Sequence, residues 1–222
     1  AAVGMHPVTA HGFNLGLNIK IHKLEFHNLF FKGSLDEHTN FIYKYKKLPP
    51  KPLFYVNINT KIFKNEAPEG HETLFILVPS PPNISVDENE INRVYKYIIN
   101  ELSEYCGINI RDHIIQKKIF KNQDFGEKFN SFKLNAYGLA CDKFQNVFIR
   151  PKLKSLYIDN LFYCGHITAP GPGIAPSMIS GINTTDYLIK QDKMENLGNN
   201  FLDGTRYNTF YLIIHKIKYV FF

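Results

Sequence analysis

The sequence predicts a mixed α/β or α+β fold, on three observations. Apolar runs of strand length alternate with stretches of helical spacing, proline and glycine clusters separate them, and no internal repeat is visible. The 222 residues, 44% hydrophobic and 21% charged, suffice to bury a core and to form one or two domains. This composition excludes collagen-like and wholly disordered classes.

In chain order, residues 27–32 (HNLFFK) read as a strand. Ser34 opens a helix, with Glu37 three residues on as in a capping box. That helix ends before Leu48-Pro49-Pro50-Lys51-Pro52, because proline blocks its continuation. Residues 53–58 (LFYVNI) read as a strand, residues 65–70 as a turn, and residues 73–78 (TLFILV) as a buried strand ended by Pro79, Pro81 and Pro82. Over residues 88–105, Ile91, Val94, Tyr95, Ile98, Ile99 and Leu102 share one helical face. Asp87, Glu88 and Glu90 suit the positive end of that helix, and Gly107 suits its C-terminal cap. Residues 108–120 contain another strand, residues 124–132 a short helix, residues 161–164 (LFYC) a strand and residues 175–189 a helix. Beyond Gln191, residues 196–200 and 203–204 are loop-like. Residues 207–222 are aromatic and β-branched, and a terminal strand, an interfacial segment and a non-native tail are all open for them.

The net charge is +6, and its lysines are dispersed: Lys44, Lys46 and Lys47, then Lys117, Lys118 and Lys121, then Lys152 and Lys154. A nucleic-acid binder concentrates such charge on one element, so no nucleic-acid partner is expected. A solvated basic surface and contact with an anionic membrane face both fit. Cys106, Cys141 and Cys164 are widely spaced without a CxxC, which points to neither zinc nor a disulfide framework and suits a reducing, cytoplasmic compartment. His6/His11 and His22/His27 lack a carboxylate cluster, so no metal is expected. No run approaches the roughly 18 apolar residues of a membrane span, and no basic leader stands at Ala1. Cys164, at the end of an apolar run, reads as buried and inert, and no catalytic acid or base is assigned.

The chemistry concentrates in residues 159–181 (DNLFYCGHITAPGPGIAPSMISG), which run strand, glycine turn, helix. Glycine has no Cβ, so backbone there can approach a planar or phosphorylated ligand. The following helix aims free N–H groups and its positive end at the turn. An electron-rich ring accumulating negative charge there is stabilised electrostatically. A purely structural glycine-proline loop fits the same pattern.

This stretch resembles the C-terminal FAD-binding signature of bacterial phytoene and related carotenoid desaturases, within the flavin amine-oxidase-like superfamily. Gly165, Thr168, Pro170, Gly171, Gly173, Ile174 and the Ser180-Gly181 pair match its positions, and Pro172 completes a Thr-x-Pro-Gly-Pro-Gly form used by one branch. His166, Ile167 and Ala169 depart from the commoner form. Residues 27–31, 67–79 and 118–132, then Asn135-Ala136-Tyr137-Gly138 and Arg150-Pro151, resemble further family segments in the same order, so the likeness covers about residues 20 to 190. It implies an FAD-binding α/β layer joined to a mixed-sheet substrate domain, with FAD contacted by Gly165, Thr168, Pro170, Gly171, Pro172, Gly173 and Ile174. It also implies hydride removal from an allylic position of a long isoprenoid such as phytoene, in carotenoid biosynthesis. The partners implied are a hydrophobic polyene in an apolar tunnel and a peripheral membrane contact. The abundant Phe and Ile suit a tunnel and a core equally, and core is the simpler assignment.

Residues 1–17 (AAVGMHPVTAHGFNLGL) instead resemble the flavin-contacting segment of aromatic-ring and ubiquinone-pathway monooxygenases. That likeness implies Pro7, Gly12 and Asn14 near an isoalloxazine ring and a junction near residue 18. No GxGxxG follows a strand, although the desaturase family carries that dinucleotide fingerprint in an N-terminal half, so a missing FAD-binding half is expected as partner. The expected division is residues 1–17 as flavin segment or junction, 18–132 as substrate-domain portion, 133–190 as C-terminal FAD-binding portion and 191–222 as an unassigned tail. Three functions are consistent with it: a desaturase fragment, a flavin monooxygenase fragment, or an inactive, non-catalytic fragment.

Overall fold

The computed structural model describes residues 9–139 and 150–199. Five strands form one antiparallel sheet: β1 (Thr9–Leu17), β2 (His27–Phe30), β3 (Phe54–Asn57), β4 (Glu72–Ser80) and β5 (Ile114–Phe120), in the order β2-β3-β4-β1-β5. Four α-helices accompany it: α1 (Leu35–Thr39), α2 (Glu88–Cys106), α3 (Asn122–Phe129) and α4 (Ile174–Asn199). The class is mixed α+β.

β1 organises the sheet. It pairs with β4 along its whole length, from Thr9 opposite Ser80 to Leu17 opposite Glu72, and with β5 from Gly12 opposite Phe120. Side chains alternate across a strand, so Phe13, Leu15 and Leu17 are buried on one face while Gly12, Asn14 and Gly16 lie on the other. α2 covers the first face. Its Ile91, Val94, Ile98, Ile99 and Leu102 join the β1 side chains and Val56, Leu74, Ile76 and Val78 in one core. Both ends of α2 follow the sequence expectation: the Asp87 carboxylate accepts the N–H groups of Asn89 (2.7 Å) and Glu90 (3.0 Å), and Gly107 closes the helix at φ 73°. α1 is likewise capped by Ser34, whose Oγ accepts the Glu37 N–H at 3.4 Å, and runs on as a wide helical turn over Asn40–Tyr45.

Some expectations are corrected. β4 continues through Pro79 to Ser80. β3 has already ended there, so proline's missing N–H costs no bond on that side. The strand expected over residues 161–164 is reduced to a single bridge between Lys154 and Phe162, because only residues 153–155 run beside it. Cys164, expected to be buried, is therefore exposed. α4 runs past Ile189 and Gln191 to Asn199. Residues 9–17, from the segment with the monooxygenase likeness, form an interior strand of the sheet, between β4 and β5. Pro7, Cys141 and residues 200–222 lie outside the described residues.

A buried histidine joins β1 to α3. His11 Nδ1 accepts the Asn122 N–H at 3.3 Å, so the ring proton sits on Nε2 and is donated to Ser80 Oγ at 3.1 Å. Burial, with Lys121 nearby, lowers its pKa to about 4 from 6.5. The unfolded chain therefore binds a proton between those values that the folded chain does not, and stability rises with pH through that window. The His11 contribution is complete above about pH 6.5 and lost as pH falls to about 4, a change of about 3 kcal/mol. Denaturant midpoints measured from pH 7 to pH 4 should fall more steeply for the natural chain than for His11→Gln. Parallel profiles would show that His11 is not the group involved.

Candidate functional site

The glycine-proline bend hangs between the short bridge at Phe162 and the first turn of α4. Ser155 N–H donates to the Leu161 carbonyl (2.9 Å) and Tyr163 N–H to the Leu153 carbonyl (2.7 Å). Gly165, Gly171 and Gly173 stand at φ 103°, 130° and 119°, which side chains of L-residues rarely permit. The buried Thr168 and Ser180 tie the bend to α4. Gly165 N–H donates to Ser180 Oγ (3.0 Å), Thr168 Oγ1 donates to the Gly165 carbonyl (3.0 Å), and Ser180 Oγ then donates to Thr168 Oγ1 (2.5 Å). Thr184 Oγ1 reaches the Tyr163 carbonyl at 3.0 Å, one turn further along α4.

Beneath the bend lies Arg150, only 6% exposed. Its guanidinium donates to the carbonyls of His166 (3.0 Å), Ile167 (3.3 Å) and Leu139 (3.2 Å). A Cβ at Gly171 would stand 3.3 Å from that guanidinium, one at Gly173 3.2 Å from Pro176 Cδ, and one at Gly138 2.4 Å from His166 Cδ2. The three glycines thus have an internal cause: they admit Arg150, Pro176 and the His166 ring. What remains for a ligand is the outer rim. No acceptor among the described residues bonds the N–H groups of Gly171, Gly173, Ile174 or Ala175, and the last two open a 26-residue helix. Donors at the positive end of a helix suit a phosphate or the electron-rich edge of a ring.

The sequence-selected Gly165, Thr168, Pro170, Gly171, Pro172, Gly173 and Ile174 all belong to this bend, in different capacities. Thr168 is buried against Ser180 and does not face outward, whereas Ile174 is 85% exposed. Gly12 and Asn14 lie on the open face of the sheet, and no hydrogen bond among the described residues joins them to the bend. Sequence reasoning missed the organising part played by Arg150. Its signal was the Arg150-Pro151 pair ahead of the bend, taken only as part of a pattern.

Two concavities lie elsewhere. One of about 740 Å³ is an open groove beside α1, walled by Glu37, Phe41, Tyr45 and Lys47, and it holds none of the sequence-selected residues. The other, about 240 Å³, lies on the open sheet face and includes Asn14, Asn59, Thr73, Gln116 and Lys118. Among the described residues no helix is long and apolar enough to cross a membrane.

No protein-family model matches the chain. Individual relatives do. The chain is 33% identical over 177 residues to a carotenoid 3,4-desaturase of Haloarcula japonica, covering 79% of this chain and 36% of that protein. It is 29% identical over 177 residues to a 4,4'-diaponeurosporene oxygenase of Staphylococcus haemolyticus (79% and 35%), and 25% identical over 177 residues to a 1-hydroxycarotenoid 3,4-desaturase of a Flavobacterium (79% and 36%). These are oxidoreductases of carotenoid biosynthesis. The chain belongs to the carotenoid desaturase and oxygenase family, and it spans about a third of the length of the curated relatives it matches.

Hydrogen bonds to a charged donor are worth about 1.5–3 kcal/mol each. Arg150→Met should therefore loosen the bend while leaving the sheet intact. Amide hydrogen exchange of residues 165–171 should accelerate about tenfold or more, with β1 and β4 unchanged. Unaltered exchange at the bend would mean that Arg150 does not hold it.

Proposed function

We propose that the chain is the C-terminal portion of an FAD-dependent carotenoid desaturase, contributing a substrate-domain sheet and the flavin-facing bend. The observation that carries this reading is the group of exposed N–H donors of Gly173, Ile174 and Ala175 at the mouth of α4, which no acceptor among the described residues bonds. When bound there, FAD supplies acceptance of a hydride from an allylic carbon of a long isoprenoid. The chain's own residues hold and polarise the site. Gly173, Ile174 and Ala175 would offer donors to the cofactor, the α4 dipole would favour negative charge beside them, and Arg150 fixes the loop behind. A hydrocarbon substrate offers no polar handle, so apolar shape matters more than an acid or base.

An FAD site built on this bend needs a further surface for the dinucleotide, and the exposed apolar side chains suit such a partner. Ile174, Met178 and Ile182 of α4 and the loop tip Leu156, Tyr157 and Ile158 all face outward. We assign them to the dinucleotide-binding half of a complete enzyme. The dispersed lysines suit a peripheral membrane contact from which an apolar polyene is drawn.

The test is complementation. The chain is mixed with the separately expressed dinucleotide-binding half of a carotenoid desaturase and FAD. It should retain yellow flavin that is bleached anaerobically by phytoene. Gly171→Val, which meets Arg150 and sits at a positive φ, should reduce flavin retention about tenfold or more. NAD(P)H-driven oxygen uptake in its place would favour the monooxygenase reading. Absence of flavin, with the bend intact, would leave a non-catalytic fragment.

A further inference from the structure

We infer that the open face of the sheet carries a polar subsite for the oxygen-bearing end of a polyene. This inference rests on the desaturase reading and names the kind of substrate it would take. The face changes character along β1. At Gly12 the cross-strand neighbours are Leu77 and Phe120, and Phe75 leans over the glycine, 3.3 Å from where a Cβ would stand. One step on, Asn14 lies between Phe75 and Lys118, and the next step sets Gly16 between Thr73 and Gln116. An apolar wall thus gives way, within two side-chain rows, to amide, hydroxyl and ammonium groups around a backbone floor.

These polar groups are uncommitted. Among the described residues no hydrogen bond engages the side chains of Asn14, Asn59, Thr73, Gln116 or Lys118. Asn57 Nδ2 is held by the Phe26 carbonyl at 2.9 Å, which leaves its own amide oxygen as an acceptor. The cavity they share, about 240 Å³, is smaller than the roughly 300–1,000 Å³ of a pocket that encloses a whole ligand. It takes an end group, with the rest of a long chain lying outside along Phe75 and Leu77. Lys118 and the amide N–H groups donate, so the matching atom is an acceptor oxygen, and a hydroxyl also returns a proton to the Asn57 oxygen. A hydrocarbon end would displace water from these donors and give nothing back.

The experiment uses the 222-residue chain and two micelle-borne polyenes, lycopene and a lycopene bearing one terminal hydroxyl. Binding is read from the induced circular dichroism of the polyene band. The hydroxylated polyene should bind about tenfold more tightly, equivalent to about 1.4 kcal/mol. The double variant Asn14→Leu/Gln116→Leu should lose that preference while binding lycopene at least as well, and both positions are exposed, so the thermal midpoint should be kept. Lys118→Met should lower the preference in the same direction. Equal affinity for the two polyenes in the natural chain overturns the subsite and leaves the desaturase reading standing. Binding of neither polyene overturns the subsite as well, while the desaturase reading stands or falls by the complementation test.

Discussion

The structure depends on one constraint: β1 must serve two faces at once. Paired on both sides, it has no free edge, and its alternation places Phe13, Leu15 and Leu17 against α2 while Gly12, Asn14 and Gly16 face the other way. A register slip of one residue would exchange those sets, turning three large apolar side chains outward and leaving α2 to pack on glycine and asparagine. The hydrophobic core and the open face are thus two consequences of the same nine residues. Its place between two neighbouring strands also explains why small residues occur there. A Cβ at Gly12 or Gly16 would press on Phe75 or Gln116 at 3.3 Å, so neighbouring strands fill the space that β1 leaves.

The bend is organised on a different principle. Apolar packing is sparse around residues 150–174, and order comes from polar groups satisfying backbone. Arg150 gathers three carbonyls from two separate segments, and Ser180, Thr168 and Thr184 tie the turn to α4. Such a network is directional, so it can fix the course of the bend without a local apolar core. The glycines serve the protein itself, by admitting Arg150 and Pro176.

How much of this was legible in the sequence divides along the same line. The helix over residues 88–105 was readable because its apolar face, its Asp87 cap and its Gly107 stop agree with one another. The strands at residues 27–32, 53–58 and 73–78 were readable from local apolar runs, with errors of one or two residues at their ends, where pairing partners decide. β1 was not read as a strand, because its run of His, Gly and Asn lacks the β-branched and aromatic enrichment that marks one. Only tertiary pairing with β4 and β5 makes it an interior strand. The strand expected at residues 161–164 failed for the converse reason: its local pattern is good, but a strand needs neighbours, and only a bridge to residues 153–155 is present. Arg150 could not be selected, since nothing in an Arg-Pro pair says which carbonyls lie within its reach.

The two parts of the chain also differ in what sustains them. The sheet with α2 buries its own apolar face and satisfies its own ends. α4 does neither across its outer surface, where Ile174, Met178, Ile179 and Ile182 are exposed. Helices draw most of their stability from packing an apolar stripe against something, and propensity alone seldom holds a long one. The relatives are a little over twice as long as this chain. The helix that begins beside the glycine-proline bend is thus also the one with the broadest exposed apolar surface among the described residues.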